Sequence, residues 1–227
     1  MSDKKAAPKA QAEEGSEAIL QILRDDIISN KYHPGEHLVE RDIALQYNVS
    51  RTPVRDALKQ LENDGLVKRV PNKGVFVTSL SLAEVREVYE TRSVLEAYAS
   101  RLAVNRMTDE QVQRQMELVE LAAQSVRDMD YNQAHLYDQE FHHNFFRICG
   151  NSRIYAMIND LWIFVLRLRR VAFLVPGRSQ NTVLEHQQIM DAVQLRDADA
   201  VETLVRMHVL KAMNTLIDNA RKGLINL

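Results

Sequence analysis

Val49-Ser-Arg-Thr-Pro-Val-Arg-Asp-Ala-Leu-Lys-Gln-Leu-Glu-Asn-Asp-Gly-Leu66 holds a helix start, a two-faced helix and a helix stop. Ser50 and Thr52 are N-cap residue types, and Pro53 suits a first turn, where its missing N–H costs nothing. Val54, Ala57, Leu58 and Leu61 follow at i, i+3, i+4 and i+7, the spacing of a face that packs on a core. Arg51, Arg55 and Lys59 follow at i, i+4 and i+8 on a different face. Gly65 stands where a left-handed C-terminal cap would end the helix. A short helix with an apolar back and an arginine front is what a DNA major groove accepts. A solvated charged face is the plain alternative for the same three cations.

The flanks extend this reading. Leu38 to Tyr47 reads as a second short helix, with Leu38, Ile43, Ala44 and Tyr47 able to face inward. The Tyr47-Asn48-Val49 link is short, as in a helix-turn-helix. Upstream, Ser16 to Asn30 is amphipathic, with Ile19, Leu20, Ile22, Leu23, Ile27 and Ile28 as its apolar set, and His33-Pro34-Gly35 breaks it. Downstream, Leu66–Val70 and Val75–Thr78 are β-prone runs around the turn chemistry of Pro71-Asn-Lys-Gly74. Three helices and a hairpin make a winged helix-turn-helix, whose wing tip offers Asn72 and Lys73 to a phosphate or a minor groove.

Pro34-Gly35-Glu36, Leu38 and Glu40, then Val49 to Leu58, then Leu61-Glu62, Asp64-Gly65-Leu66, Asn72 and Gly74 together resemble the DNA-binding domain of the GntR family of bacterial regulators. The resemblance covers residues from about 16 to 78. It implies that Arg41, Arg51 and Arg55 contact operator DNA and that Gly74 sits at the groove. With Ser50, Thr52, Asn72 and Lys73 they form the expected DNA-contact set. Arg41 has another reading, because Glu40 and Asp42 flank it and can pair with it. Asn48 departs from the family pattern, which has glycine there, but asparagine tolerates a left-handed turn.

Composition bounds the rest. The chain has 227 residues, is 45% hydrophobic and 6% aromatic, and carries a net charge of −2, so global charge does not announce nucleic acid. Locally, Arg51, Arg55, Lys59, Lys68, Arg69 and Lys73 outnumber Asp56, Glu62 and Asp64, a modest excess that a symmetric dimer doubles. One cysteine, Cys149, excludes an internal disulfide and a cysteine-rich zinc site. Residues 2–14 read as a disordered tail and carry no signal peptide. The most apolar run, Leu161 to Val175, is interrupted by Arg167, Arg169 and Arg170, so no membrane span is expected. The expected location is the cytoplasm.

From residue 79 to 227 the pattern is all-α, an antiparallel bundle. Ser81-Leu-Ala-Glu is a capping box opening a helix to about Asn105. Further helices are expected from Thr108 to about Met129, Asp130 to Ile148, Asn151 to about Phe173, Thr182 to Leu195 and Ala198 to Lys222. Asp138 and His142 are four apart and project to one side, beside Phe141 and Phe145. His186 and His208 lie near apolar stripes of later helices. Three imidazoles and a carboxylate can bind a divalent ion, although each histidine alone reads as an ordinary bundle residue. Asp138, Phe141-His142, Glu185-His186 and His208 resemble the metal-binding set of the ligand-sensing FCD domain, which follows the GntR reader in FadR-type regulators. The resemblance implies a divalent metal (zinc, with manganese or nickel as alternatives) and a small organic-acid effector. His135 and His143 fall outside the set.

Arg92 lies on the apolar side of the first bundle helix, where a buried guanidinium needs an anion. Glu96, one turn on, is one partner; a ligand carboxylate is another. Arg167, Arg169 and Arg170 are weaker candidates for the same role. The expected function is a homodimeric, ligand-responsive regulator, not an enzyme, that binds a palindromic operator. Rival readings are a metal sensor and a metal-dependent enzyme, against which Glu140 faces away from Asp138 and His142.

Overall fold

The computed structural model describes residues 7–173, 175 and 177–225, without the side chains of 7–15, 163, 164, 166, 167 and 169–173. The chain divides into two compact units, residues 1–80 and 81–227. Arg167, Arg169 and Arg170 therefore lie outside the described side chains.

The first unit runs α1 (Ala7–Ile28), β1 (His37–Leu38), α2 (Glu40–Gln46), α3 (Arg51–Asn63), β2 (Val67–Val70) and β3 (Gly74–Val77). Val54, Ala57, Leu58 and Leu61 are fully buried against α1, whose Ile19, Leu23 and Ile27 are also buried. Ser50 occupies the N-cap with extended backbone, but its hydroxyl makes no capping bond. Gly65 takes φ +73°, and its N–H donates to the Glu62 carbonyl while that of Leu66 donates to the Leu61 carbonyl, closing α3 with paired terminal bonds. Asn48 takes φ +52°, the left-handed turn that asparagine tolerates.

Three features differ from the sequence reading. Leu38 is not helical: with His37 it forms β1, which pairs antiparallel with Phe76 and Val75, so the wing is a three-stranded sheet of order β1-β3-β2. Two residues make a strand only because a distant edge supplies the hydrogen bonds, which local pattern does not reveal. Tyr47 is half-buried rather than inward; its hydroxyl bonds Asp26, Lys31 and Gln46. The helix α1 starts at Ala7, so residues 7–14, read as tail, have helical backbone. Their Ala, Gln, Glu and Lys are strong helix formers that extend a helix anchored further on.

The second unit is α4 (Leu82–Val104), α5 (Asp109–Arg127), α6 (Tyr131–Ile148), α7 (Ser152–Phe173), α8 (Arg178–Gln194) and α9 (Ala198–Arg221). Ser81 with Glu84 and Thr108 with Gln111 both form reciprocal capping boxes. The Asn151 side chain caps α7 by accepting from the Arg153 and Ile154 N–H groups. α8 starts one turn earlier than its apolar pattern suggests, behind Gly177 in a left-handed conformation. α4 lies along α9, and α5 lies against α6 and α8. The core gathers Ala97, Phe141, Phe145, Ile189, Val193, Val201 and Val205, with Cys149 buried among them. Among the described residues no helix is long and apolar enough to cross a membrane.

Leu58 has no solvent exposure, so Leu58→Ala should remove about 2–5 kcal/mol from the first unit through lost burial and a residual cavity. Hydrogen exchange of the α3 amides is expected to accelerate, with α4–α9 amides unchanged. Unaltered α3 protection would contradict the packing assigned to Leu58.

Candidate functional site

Two sites follow, one in each unit. In the first, Arg51, Arg55 and Lys59 are exposed on α3, opposite the buried apolar face. Thr52 and Ser50 are exposed at the helix start. Arg51 Nη2 lies 3.6 Å from Glu40 Oε2, and Arg41 Nε donates to Asp42 Oδ1 at 3.1 Å. Surface pairs of this kind are worth about 0–1 kcal/mol. At the wing, Asn72 (φ +61°) and Lys73 are exposed, and Lys73 N–H donates to the Val70 carbonyl across the turn. Gly74 has φ +108°, and a Cβ there would collide with the His37 ring, which stacks on Phe76 at 4.7 Å.

In the second unit, α6, α8 and α9 bring three histidines together. His142, His186 and His208 are all buried and each offers a ligand atom within 4.8 Å of the others. His142 Nε2 and His186 Nε2 are 3.1 Å apart. Asp138 Oδ1 lies 3.8 Å from His142 Nε2 and 3.6 Å from His186 Nε2. The Phe141 ring stacks on His186 at 4.2 Å and closes one wall. Donors bound at about 2.0–2.1 Å around one ion are themselves about 3–3.5 Å apart; the His142–His186 separation matches that spacing and the Asp138 separations lie just outside it, so these residues could hold a first-row divalent ion by drawing in slightly. His135 instead pairs with Gln139 through Nε2, and His143 lies between the Tyr155 and Trp162 rings.

Two buried ion pairs back this cluster. Arg92 Nε donates to Glu96 Oε1 at 2.6 Å, with both side chains buried. Arg92 also sits over the Tyr89 ring at 4.4 Å, and its Nη1 is buried without a hydrogen-bond partner among the described residues. The other Glu96 oxygen is 3.9 Å from His142 Nδ1. On the far side, Arg178 grips Glu185 with two bonds of 3.1 and 3.0 Å, and Glu185 Oε2 is 2.7 Å from His208 Nδ1. Burial alone would raise the Glu185 carboxyl, but the His208 and Arg178 bonds bring it down to about 2. Burial depresses His208 below its ordinary value, and the Glu185 bond only partly offsets this. Sequence reasoning missed the Arg178–Glu185 pair. A seven-residue spacing, two turns on one face of α8, was its only local signal.

These shifts set a pH dependence for metal-free protein. In the unfolded chain His208 takes up a proton near the ordinary 6.5, while the folded chain resists until lower pH. The unfolded state then binds more protons, so stability should fall as pH drops below 6.5. Glu185 adds a second loss between its ordinary 4.5 and about 2. Thermal midpoints of chelator-treated protein should fall from pH about 7.5 to 5.5, and less steeply in His208→Asn. Equal slopes for the two proteins would exclude His208 as the source.

Comparison with known proteins places both units. The model described as "Bacterial regulatory proteins, gntR family" matches residues 16–77, and the FCD domain model matches residues 87–211. The chain is 28% identical over 194 residues to the HTH-type transcriptional repressor RspR of Escherichia coli (strain K12), covering 86% of this chain and 85% of that one. It is 28% identical over 197 residues to the Nta operon transcriptional regulator of Aminobacter aminovorans, covering 86% and 90%. Among solved structures, a putative transcriptional regulator GntR from Rhodococcus sp. RHA1 superimposes with TM-score 0.72 at 25% identity, covering 89% of this chain and 97% of that one. E. coli McbR/YncC shares the fold, with TM-score 0.76 at 19% identity over 91% and 98%. A winged reader with a basic α3 face, followed by a helical bundle with a buried histidine cluster, thus belongs to the gntR family of bacterial transcription regulators, in the branch that carries an FCD domain.

Proposed function

We propose that the protein is a homodimeric, ligand-responsive repressor that binds a roughly palindromic operator in double-stranded DNA. Its bundle holds a divalent metal, zinc before manganese or nickel, and a small organic acid. The observation that carries this reading is the buried histidine cluster beside Arg92, in the same chain as the exposed cations of α3. Repression is the role that the RspR relative is named for, carried here as part of the proposal. The family argues for a regulator and not an enzyme, and a turnover screen with added metal tests that point.

On the DNA side, the exposed Arg55 and Arg51 would reach base edges, with Arg41, Ser50, Thr52, Asn72 and Lys73 toward the DNA backbone. Gly74 lets the wing approach closely. Two readers related by a twofold axis match two half-sites about one helical turn apart. On the ligand side, Asp138, His142, His186 and His208 would hold the ion. A bound ion supplies positive charge and open positions for a carboxylate. Arg92 already spends Nε on Glu96, and its Nη1 is the group left for an incoming anion. A guanidinium this deeply buried favours a compact, charged acid over a long acyl chain.

Arg55→Ala should lose about 1–3 kcal/mol of specific binding, roughly 5- to 150-fold in affinity. Lys73→Ala should weaken binding to all sequences alike and flatten its salt dependence. Wild-type operator affinity in Arg55→Ala would refute the groove face. His186→Ala should strip the ion, lower the thermal midpoint and abolish the response to small acids, with DNA binding retained. Elemental analysis of protein purified without chelators checks the ion directly. Sedimentation should show a dimer; a strict monomer with full operator affinity would refute the paired-reader scheme.

A further inference from the structure

We propose that Glu185, clamped by Arg178, is a positioning residue that fixes His208 in the tautomer with its proton on Nδ1, so that Nε2 carries the lone pair for the metal. The inference rests on the metal site proposed above and assigns a role to two residues outside the ligand set. Both Glu185 oxygens are engaged by Arg178, Oε1 by Nη1 and Oε2 by Nη2. Oε2 also meets His208 Nδ1 at 2.7 Å. An ionised carboxylate only accepts hydrogen bonds, so the proton in that contact belongs to Nδ1. A neutral imidazole then has one bare nitrogen, Nε2.

Arg178 keeps this arrangement in place. It is the first residue of α8, presented by the left-handed Gly177, and its side chain is buried. Glu185 lies two turns along the same helix, while His208 comes from α9. The planar guanidinium holds both carboxylate oxygens at once and so fixes the plane in which Oε2 meets Nδ1. Lys211 Nζ, 3.6 Å from Oε1 and half-exposed, adds positive charge from the α9 side. The contrast with His142 is informative. Its Nδ1 is 3.9 Å from Glu96 Oε2, a longer contact than the 2.7 Å between Glu185 and His208.

The test uses full-length protein labelled with ¹⁵N-histidine, with zinc alone as the probe. In metal-free wild type, the His208 ring shifts should report Nδ1 protonated and Nε2 bare. Glu185→Ala should turn this into a mixture of tautomers and lower zinc affinity about 10- to 100-fold in chelator competition. That variant leaves Arg178 buried and unpaired, so the joint change Arg178→Met with Glu185→Leu, which leaves no orphan charge, should give the same two results. His208 protonated on Nε2 in wild type would overturn the proposal. So would variants that keep both the tautomer and the zinc affinity. If wild type binds no zinc, the metal reading fails, and the tautomer data still decide the role of Glu185.

Discussion

Burial of charge inside an all-helical unit is the constraint on which the rest of this molecule depends. Arg92, Glu96, Asp138, His142, Arg178, His186 and His208 are all buried, and each would be costly there alone. They are tolerable because they meet. Glu96 answers Arg92 on α4, Glu185 answers Arg178 and His208, and Asp138 lies between two imidazoles. The helices must therefore keep one mutual arrangement, since shifting α9 by a turn would separate His208 from Glu185. Removing one member of a buried pair is commonly worse than removing both.

The first unit solves a different problem. It must hold an arginine-bearing helix rigid while leaving that helix's front bare. Four fully buried residues anchor the back of α3. Its two ends are set by backbone, through the left-handed Asn48 before it and Gly65 after it. The acidic partners nearby, half-buried Glu40 for Arg51 and exposed Asp42 for Arg41, are weak. They screen the cations without immobilising them.

What was legible in the sequence follows the range of the interactions. The α3 helix was readable in full because its cap position, two faces and terminal glycine are all local. The strand β1 was not, because His37 and Leu38 are extended only by virtue of β3, nearly forty residues later. In the bundle, Asp138 and His142 were visible as an i,i+4 pair. Their meeting with His186 and His208 was not deducible from spacing, and was expected only from the FCD resemblance. The Arg92–Glu96 pair was open between two partners, and the helix-internal one is present. Arg178 carries no local signal because it lies before the apolar pattern of α8 begins, and its partner Glu185 is tied to a histidine from another helix.

The wing has a consequence for how such a reader can diversify. Gly74 is fixed twice over, by a backbone angle that side chains avoid and by the His37 ring standing where a Cβ would go. Asn72 is held once, by its left-handed turn. Lys73, exposed between them, has neither restraint among the features described. Among the three turn residues, variation is therefore least constrained at Lys73, where proline alone would forfeit the N–H bond to the Val70 carbonyl.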